Sequence, residues 1–242
     1  MRRVTVIGGS GDVGALILPL LDAHHHVRVA DLRRPATWDG DFIPVDVSDP
    51  ASLATACADT DVLVYLAMGP KADWGSDAWA RMQFVVNVEG LYSTLRAAAA
   101  AGVSRFVHAS TGSIFANYLQ RPLPPEGDAV DAYGLSKALA ERVCAAAYVE
   151  HSLPGISLRL IGPVPDEEWM AAGDSAHGDV ITAGSDIARA FLAALGASTS
   201  GYETCMISGN YDGTLIDLTD AGSLLGWRPL ARRAATNTEE TP

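Results

Sequence analysis

Residues 4–14 read VTVIGGSGDVG: an apolar run suited to a core, then four glycines and a serine within seven residues. Gly8, Gly11 and Gly14 form a GxxGxxG spacing, with Gly9 added, where a strand turns into a helix. A phosphate can approach the backbone there only where side chains are absent. The helix N-terminus then offers it free N–H groups and the positive end of the helix dipole. Gly8, Ser10, Gly11, Asp12, Val13 and Gly14 are therefore candidate cofactor contacts. By itself the turn is weak evidence, but a strand before it, a helix after it and an acidic residue ending the second strand are the context such a motif needs. That residue is Asp31 in VRVADLRRP, 17 positions beyond Gly14. A carboxylate there accepts both hydroxyls of an adenosine ribose and repels a 2′-phosphate, so NAD is the expected cofactor and NADP the lesser alternative. Leu32 and Arg33 join the candidate cofactor set. Arg33 and Arg34 would hold a 2′-phosphate if their loop turned inward; otherwise they are surface arginines.

Working outward, VTVIG is followed by the helical DVGALILPLLDAH, VRVAD by a short loop and SDPASLATACA, and DVLVYLA by a helical stretch from about 78 to 101. RFVHAS, a proline-rich loop at 122–125, a helix from about 131 to 150 and ISLRLIG continue the alternation. Uninterrupted Val, Ile and Leu runs between helices predict a parallel sheet covered on both faces, in a doubly wound α/β order. Past Gly162 the texture becomes polar and irregular. The helix SDIARAFLAALGAS, the run CMISG and a short helix ending in LLGWRP read as a small C-terminal lobe over about 163–230. From about 231 the tail RRAATNTEETP reads as too polar to pack.

With 242 residues, 48% of them hydrophobic, and a mean hydropathy of +0.14, one sizeable core and a single domain over 1–230 are expected. The net charge of −12 and pI near 4.8 disfavour nucleic acid and anionic membrane surfaces and leave a small molecule as the expected partner. No apolar run approaches the roughly 20 residues of a spanning helix, and MRR leads straight into a strand. Cys57, Cys144 and Cys205 are widely spaced and odd in number, which suits reduced thiols. A cytoplasmic protein is expected. His24, His25 and His26 are consecutive and cannot share one face, so no metal is expected.

Tyr133 and Lys137, in YGLSK at a helix start, are four residues apart and share a helix face. An ammonium near a phenol lowers its pKa and makes it a workable acid/base for an alcohol or carbonyl. The chain has two lysines, Lys71 and Lys137, against fifteen arginines. A lysine kept in so arginine-rich a chain suggests a site where arginine would not serve.

With these residues in place the sequence resembles the short-chain dehydrogenases/reductases of the extended, epimerase-like branch, from Val4 to about Pro229. GGSGDVG matches the family's glycine motif, VDVSD its adenine contacts at Asp46 and Val47, VYLA its segment at Leu66 and Ala67, NVEGLYSTLRAA its Asn87 helix, and YGLSK its YxxxK. The resemblance implies a Rossmann fold and an NAD(P)-dependent enzyme that usually forms homodimers through the Asn87 and YxxxK helices, and it adds Met68 and Ile161 to the cofactor set. It implies a catalytic hydroxyl ending the strand before YxxxK. VHASTGSIF offers Ser110 and Thr111, and aligning IF with the family's usual VY puts Thr111 in that slot, with Ser110 left to local bonding. Gly69, Ser113 and Trp169, with Thr111, form the candidate substrate set.

Within the branch the likeness is nearest to uronate dehydrogenases and related small sugar oxidoreductases. These carry an arginine for the substrate carboxylate where PDEEWMAAG here offers Glu167, Glu168 and Trp169, which favours a neutral sugar, polyol or hydroxy-ketone. If a carboxylate were the substrate, Arg121 or Arg159 would have to receive it. Trp169 either stacks on a substrate ring or fills the lobe's core, and Trp74 and Trp79 either line the pocket mouth or cover the core. A nucleotide-sugar epimerase or dehydratase with retained NAD and a non-catalytic NAD(P) sensor are the alternative functions.

Overall fold

The computed structural model describes residues 1–173 and 178–233. In chain order the elements are β1 (Arg3–Ile7), α1 (Asp12–Asp22), β2 (His26–Asp31), β3 (Asp41–Pro44), α2 (Pro50–Cys57), β4 (Val62–Tyr65), α3 (Asp77–Phe84), α4 (Leu91–Ala100), β5 (Arg105–Thr111), α5 (Ala132–His151), β6 (Gly155–Leu160), β7 (Pro163–Val164), α6 (Asp166–Ala171), β8 (Thr182–Ala183), α7 (Gly184–Gly196), β9 (Tyr202–Ile207) and α8 (Thr219–Leu225). Seven strands form one parallel sheet in the order β3-β2-β1-β4-β5-β6-β9.

Because successive strand residues point to opposite faces, the continuous apolar runs build two cores. Val4, Val6, Val29, Val64 and Leu158 pack under Ile17 and Leu21 of α1 and Ile187 and Phe191 of α7. Ile7, Leu63, Tyr65 and Phe106 pack under Leu53 of α2, Leu91 and Leu95 of α4, and Ala140 and Cys144 of α5. The chain leaves β1 toward β2 and β3, then crosses back to β4 and onward. The strand order therefore reverses between β1 and β4, and their carboxyl ends open the crevice where doubly wound sheets bind ligands.

Four features depart from the sequence reading. The short strand β3, with its polar and proline ends, lay hidden in what read as a loop. The helix expected over 78–101 is interrupted by a π-helical stretch, Val85–Gly90, between α3 and α4. Tyr65 Oη donates to the Val86 carbonyl inside it at 2.7 Å, supplying a partner from outside the helix. The lobe largely dissolves: β9 is the edge strand of the main sheet and α7 covers its first face, leaving only the β7–β8 pair, α6 and the nearby loops apart from it. The apolar faces of α7 and β9 are buried in the first core. The start of the tail is also docked, since the buried Asp186 carboxylate accepts from Leu230 N at 3.0 Å and Ala231 N at 3.1 Å. Positions 234–242, the rest of that tail, lie outside the described residues.

Candidate active site

The first half of the site is the glycine turn. Gly8 adopts φ +80°, and a Cβ there would stand 2.3 Å from Ala67 N, so only glycine lets the ends of β1 and β4 approach. A Cβ on Gly14 would stand 2.0 Å from the Gly9 carbonyl, which forces α1 to begin tight against the turn. Gly11 differs: its nearest neighbour would be the Gly8 carbonyl at 3.5 Å, so its bare face looks onto space. Gly11 is also the N-cap of α1 and supplies no side-chain cap, leaving the helix N-terminus to other acceptors. A dinucleotide pyrophosphate fits that cradle. Val13 is half-buried against the first core, and Asp12, in the first turn, pairs with Lys71 from the loop after β4. The sequence reading passed over Lys71, although its rarity was the available signal.

Asp31 ends β2 beside the turn. Its Oδ2 accepts from Ser10 N at 2.9 Å and its Oδ1 from Leu32 N at 2.7 Å, which fixes the carboxylate while leaving lone pairs for a ribose. Ser10 Oγ donates to the Arg33 carbonyl, tying this loop to the turn, and the Leu32 side chain is exposed. Arg34 is occupied: it donates to the Trp38 and Gly40 carbonyls and lies 5.0 Å over the Phe42 ring. Of the two arginines, Arg34 is thus committed away from a 2′-phosphate. Asp46 accepts from Ser48 N and Ser48 Oγ, which holds its carboxyl below the usual range. Val47 packs where a Cβ on Gly90 would strike it, so the π-helical stretch lies against the expected adenine side. Leu66 is buried at the end of β4, with Ala67 and Met68 half-buried beyond it.

The second half is carried by β5 and α5. Asp131 caps α5, accepting from Tyr133 N at 3.1 Å and Gly134 N at 3.0 Å, so the helix starts where Tyr133 stands on its first turn. A Cβ on Gly134 would lie 2.3 Å from the Ser113 carbonyl, and this close approach brings the end of β5 to the tyrosine. The Thr111 hydroxyl accepts from Ser113 N at 3.1 Å and lies near enough to the Tyr133 phenol to favour its ionised form. Burial pushes the phenol above its ordinary value, the Thr111 hydroxyl opposes this, and Asp131 adds to it. The expected depression by the lysine does not appear here, and Lys137 Nζ donates to the Ala109 carbonyl at 2.9 Å. Lys137 is buried, and that burial lowers its pKa to about 8.

Ser110 takes the structural role: its hydroxyl donates to Glu141 at 2.6 Å. Glu141 also receives Arg159 through two bonds, at 3.0 and 2.7 Å, in a largely buried fork. Arg159 is therefore committed, and Arg121 donates to the Gly213 carbonyl at 2.9 Å. The fully buried Asn87 donates to Ser136 Oγ at 2.9 Å and to Gln83 at 3.3 Å, joining the π-helical stretch to the start of α5. Ile161 is buried beneath Gly112, where a Cβ would meet it at 2.1 Å.

Two of the expected substrate contacts are covered. A Cβ on Gly69 would lie 2.5 Å from the Gln83 amide, so Gly69 sits under that side chain. Trp169, on α6, is 5% exposed, donates to the Ile181 carbonyl at 3.2 Å and has the Arg233 guanidinium 4.3 Å over its ring. It fills the core of the small cluster with Ile181 and Ala183, because an indole on a one-sided six-residue helix gains more from burial than from exposure. Glu167 and Glu168 remain exposed. Trp74 and Trp79 divide the two roles between them. Trp79 is buried, whereas Trp74 is 60% exposed with its ring 5.7 Å from that of Tyr133. Among the described residues no group of three or more His, Cys, Asp or Glu is placed to hold a metal ion, and no helix is long and apolar enough to cross a membrane.

Comparison with known proteins agrees with this geometry. Residues 4–168 match the model of the NAD dependent epimerase/dehydratase family. The L-arabinose 1-dehydrogenase (NAD(P)(+)) of Haloferax volcanii is 28% identical over 262 aligned positions, covering 95% of this chain and 96% of that protein. Among solved structures, a short-chain dehydrogenase/reductase superfamily protein from Agrobacterium tumefaciens with bound NAD superposes with a TM-score of 0.79 at 19% identity, over 96% of this chain and 93% of that one. A mutated uronate dehydrogenase gives 0.73 at 21% identity, over 95% and 82%. The glycine cradle, the Asp31 anchor and the Thr111–Tyr133–Lys137 cluster thus lie on the fold that the family model describes, and the chain belongs to the NAD dependent epimerase/dehydratase family.

Proposed function

We propose that the protein is an NAD-dependent dehydrogenase that oxidises a secondary hydroxyl or hemiacetal carbon of a small neutral sugar. The observation that carries the reading is the juxtaposition of Thr111, at the end of β5, with Tyr133 on the first turn of α5 and Lys137 one turn further along, at the carboxyl end of the sheet. NAD, when held by these residues, would supply the hydride acceptor for the substrate carbon. The Tyr133 phenol exchanges the hydroxyl proton, Thr111 orients the substrate oxygen, and Lys137 holds the cofactor ribose. Gly8, Ser10, Gly11, Asp12, Val13 and Gly14 hold the pyrophosphate, Asp31, Leu32 and Arg33 the adenosine ribose, Asp46 and Val47 the adenine, and Leu66 through Met68 with Ile161 the rest of the dinucleotide. Ser113 completes the substrate side.

Neutrality of the substrate is supported by the arginines. Arg159 is bound to Glu141 and Arg121 to a backbone carbonyl, so neither offers a free fork to a carboxylate. The Haloferax relative, named for a neutral pentose, supports the same class. The buried, reduced Cys57, Cys144 and Cys205 suit the cytoplasm. An apolar groove formed by Phe84, Val85, Val88 and Tyr92 with Val143 of α5 suits a homodimer through the helices that the family resemblance implies.

The test is NADH formation from a panel of neutral sugars, uronates and polyols. A neutral aldose should give the highest kcat/KM, and a uronate oxidised faster than every neutral sugar would overturn the substrate class. Because burial holds the Tyr133 phenol above its ordinary value, the active phenolate is scarce at neutrality, and oxidation should quicken as pH rises from neutral to mildly alkaline. Tyr133→Phe should lower kcat by roughly 10²-fold or more with NAD affinity nearly unchanged. The family model leaves epimerisation as a second reading; an epimerase would purify with NAD bound and turn over without added NAD.

A further inference from the structure

We propose that Trp74 is the substrate platform of this site and that it selects the cyclic form of the sugar. This rests on the dehydrogenase reading above and adds a specificity-determining residue to it. Trp74 lies on the loop between β4 and α3, and its ring centroid stands 5.7 Å from that of Tyr133, the planes inclined by 51°. At 60% exposure it is among the most exposed large apolar side chains of the described residues. An indole left in water forgoes the burial that its size would otherwise gain, so exposure beside the acid/base group calls for an occupant.

The loop holds the side chain in place. Trp74 sits between two residues in the left-handed region, Asp73 at φ +56° and Gly75 at φ +85°. Ser76 N closes the turn on the Asp73 carbonyl at 3.0 Å, and Ser76 Oγ accepts from Trp79 N at 3.1 Å as the cap of α3. Behind Trp74 lies the buried Trp79, with ring centroids 4.3 Å apart and planes inclined by 41°, giving it a rear wall. At the other end of the loop, Lys71 pairs with Asp12 at the glycine turn. One loop therefore spans from the cofactor cradle to the tyrosine, with an aromatic face at the second end.

Such a face recognises a flat array of polarised C–H bonds. A pyranose presents one, with its hydroxyls turned outward, whereas an open-chain polyol must be ordered to do so at an entropic cost. The contact acts on ring position and not on proton transfer, so its loss should appear in KM.

The experiment compares Trp74→Ala, Trp74→Phe and wild type on a neutral aldose and on an acyclic secondary alcohol, each oxidised by the wild type. Trp74→Ala should raise KM for the aldose about tenfold, which corresponds to about 1.4 kcal/mol. Its kcat, its KM for NAD and its KM for the acyclic alcohol should each stay within about twofold of wild type, the signature of lost uniform binding. Trp74→Phe should restore most of the affinity. An unchanged aldose KM in Trp74→Ala, or equal losses on cyclic and acyclic substrates, would overturn the platform. Loss of NAD affinity together with kcat would assign Trp74 a structural role instead. If the wild type oxidises neither substrate class, the dehydrogenase reading itself fails, a result separable from all of these.

Discussion

Asp31 and Lys137 show two ways in which single side chains couple binding to the fold. Asp31 holds Ser10 N and Leu32 N and faces the expected adenosine ribose, so its removal loosens the turn as well as the ribose contact. Asp31→Ala should weaken NAD(H) binding by about tenfold or more, as loss of a charge-assisted hydrogen bond of about 1.5–3 kcal/mol implies. It should also narrow the preference over NADP(H), with titration calorimetry as the check. Equal binding of the two cofactors by the unaltered protein would show that Arg33 outweighs the carboxylate. Lys137 carries a cost. Its folded pKa, about 8, lies below the ordinary lysine value of 10.5, so burial disfavours the charged form. The penalty is fully present below pH 8 and fades as pH rises toward 10.5, where the unfolded chain also loses the proton. Lys137→Met should therefore raise Tm of the cofactor-free protein at pH 7 by about 2–4 °C, for roughly 1 kcal/mol gained after loss of the Ala109 bond. It should nonetheless reduce turnover. A Tm that falls at pH 7 would mean that the Ala109 bond outweighs the buried charge.

At the scale of elements, the site depends on β5 and α5 keeping their register. Ser110 on β5, Glu141 on α5 and Arg159 on β6 are joined in one buried network beneath the reacting residues. Removing one partner of a buried pair strands the other charge. Arg159→Met should therefore cost about 3–5 kcal/mol by urea denaturation, while the double change Arg159→Met with Glu141→Leu should cost clearly less. Equal costs for the single and double changes would show that the pair contributes packing alone. The π-helical stretch is a second such device. By taking an extra residue into its turn it keeps Asn87 on Ser136 and Gly90 against Val47, positions that a regular helix over 78–101 would rotate away.

For the whole molecule, the chief surface feature is the apolar groove of α3, the π-helical stretch, α4 and α5. Tyr92 is 41% exposed there and Leu139 of α5 is 40% exposed. The homodimer proposed above would cover this face. Tyr92→Asp combined with Val143→Asp should convert a dimer to a monomer in sedimentation equilibrium while the far-UV circular dichroism stays unchanged. A wild-type protein that sediments as a monomer at micromolar concentration would remove the dimer from the picture. Since α5 carries both the groove and Tyr133, the monomeric variant should also show lower activity.

The sequence by itself determined the parallel sheet, the glycine turn, the Asp31 anchor and the α5 start at Tyr133, because each rests on local chemistry. Apolar runs, missing side chains and a tyrosine and lysine one helical turn apart act over a few residues and are visible as spacing. The tertiary structure alone decided what depends on distant partners. Whether Ser110 was catalytic or structural hinged on Glu141, 31 positions away, and Trp169 became core because Ile181 and Arg233 cover it. Residues 184–207 joined the main layers because α1 and β6 had faces left to bury. Trp74 and Trp79 are five residues apart and of one chemistry, yet one is wall and the other surface. Which indole faces solvent follows from where α3 docks against α5, a long-range choice that residue spacing does not encode.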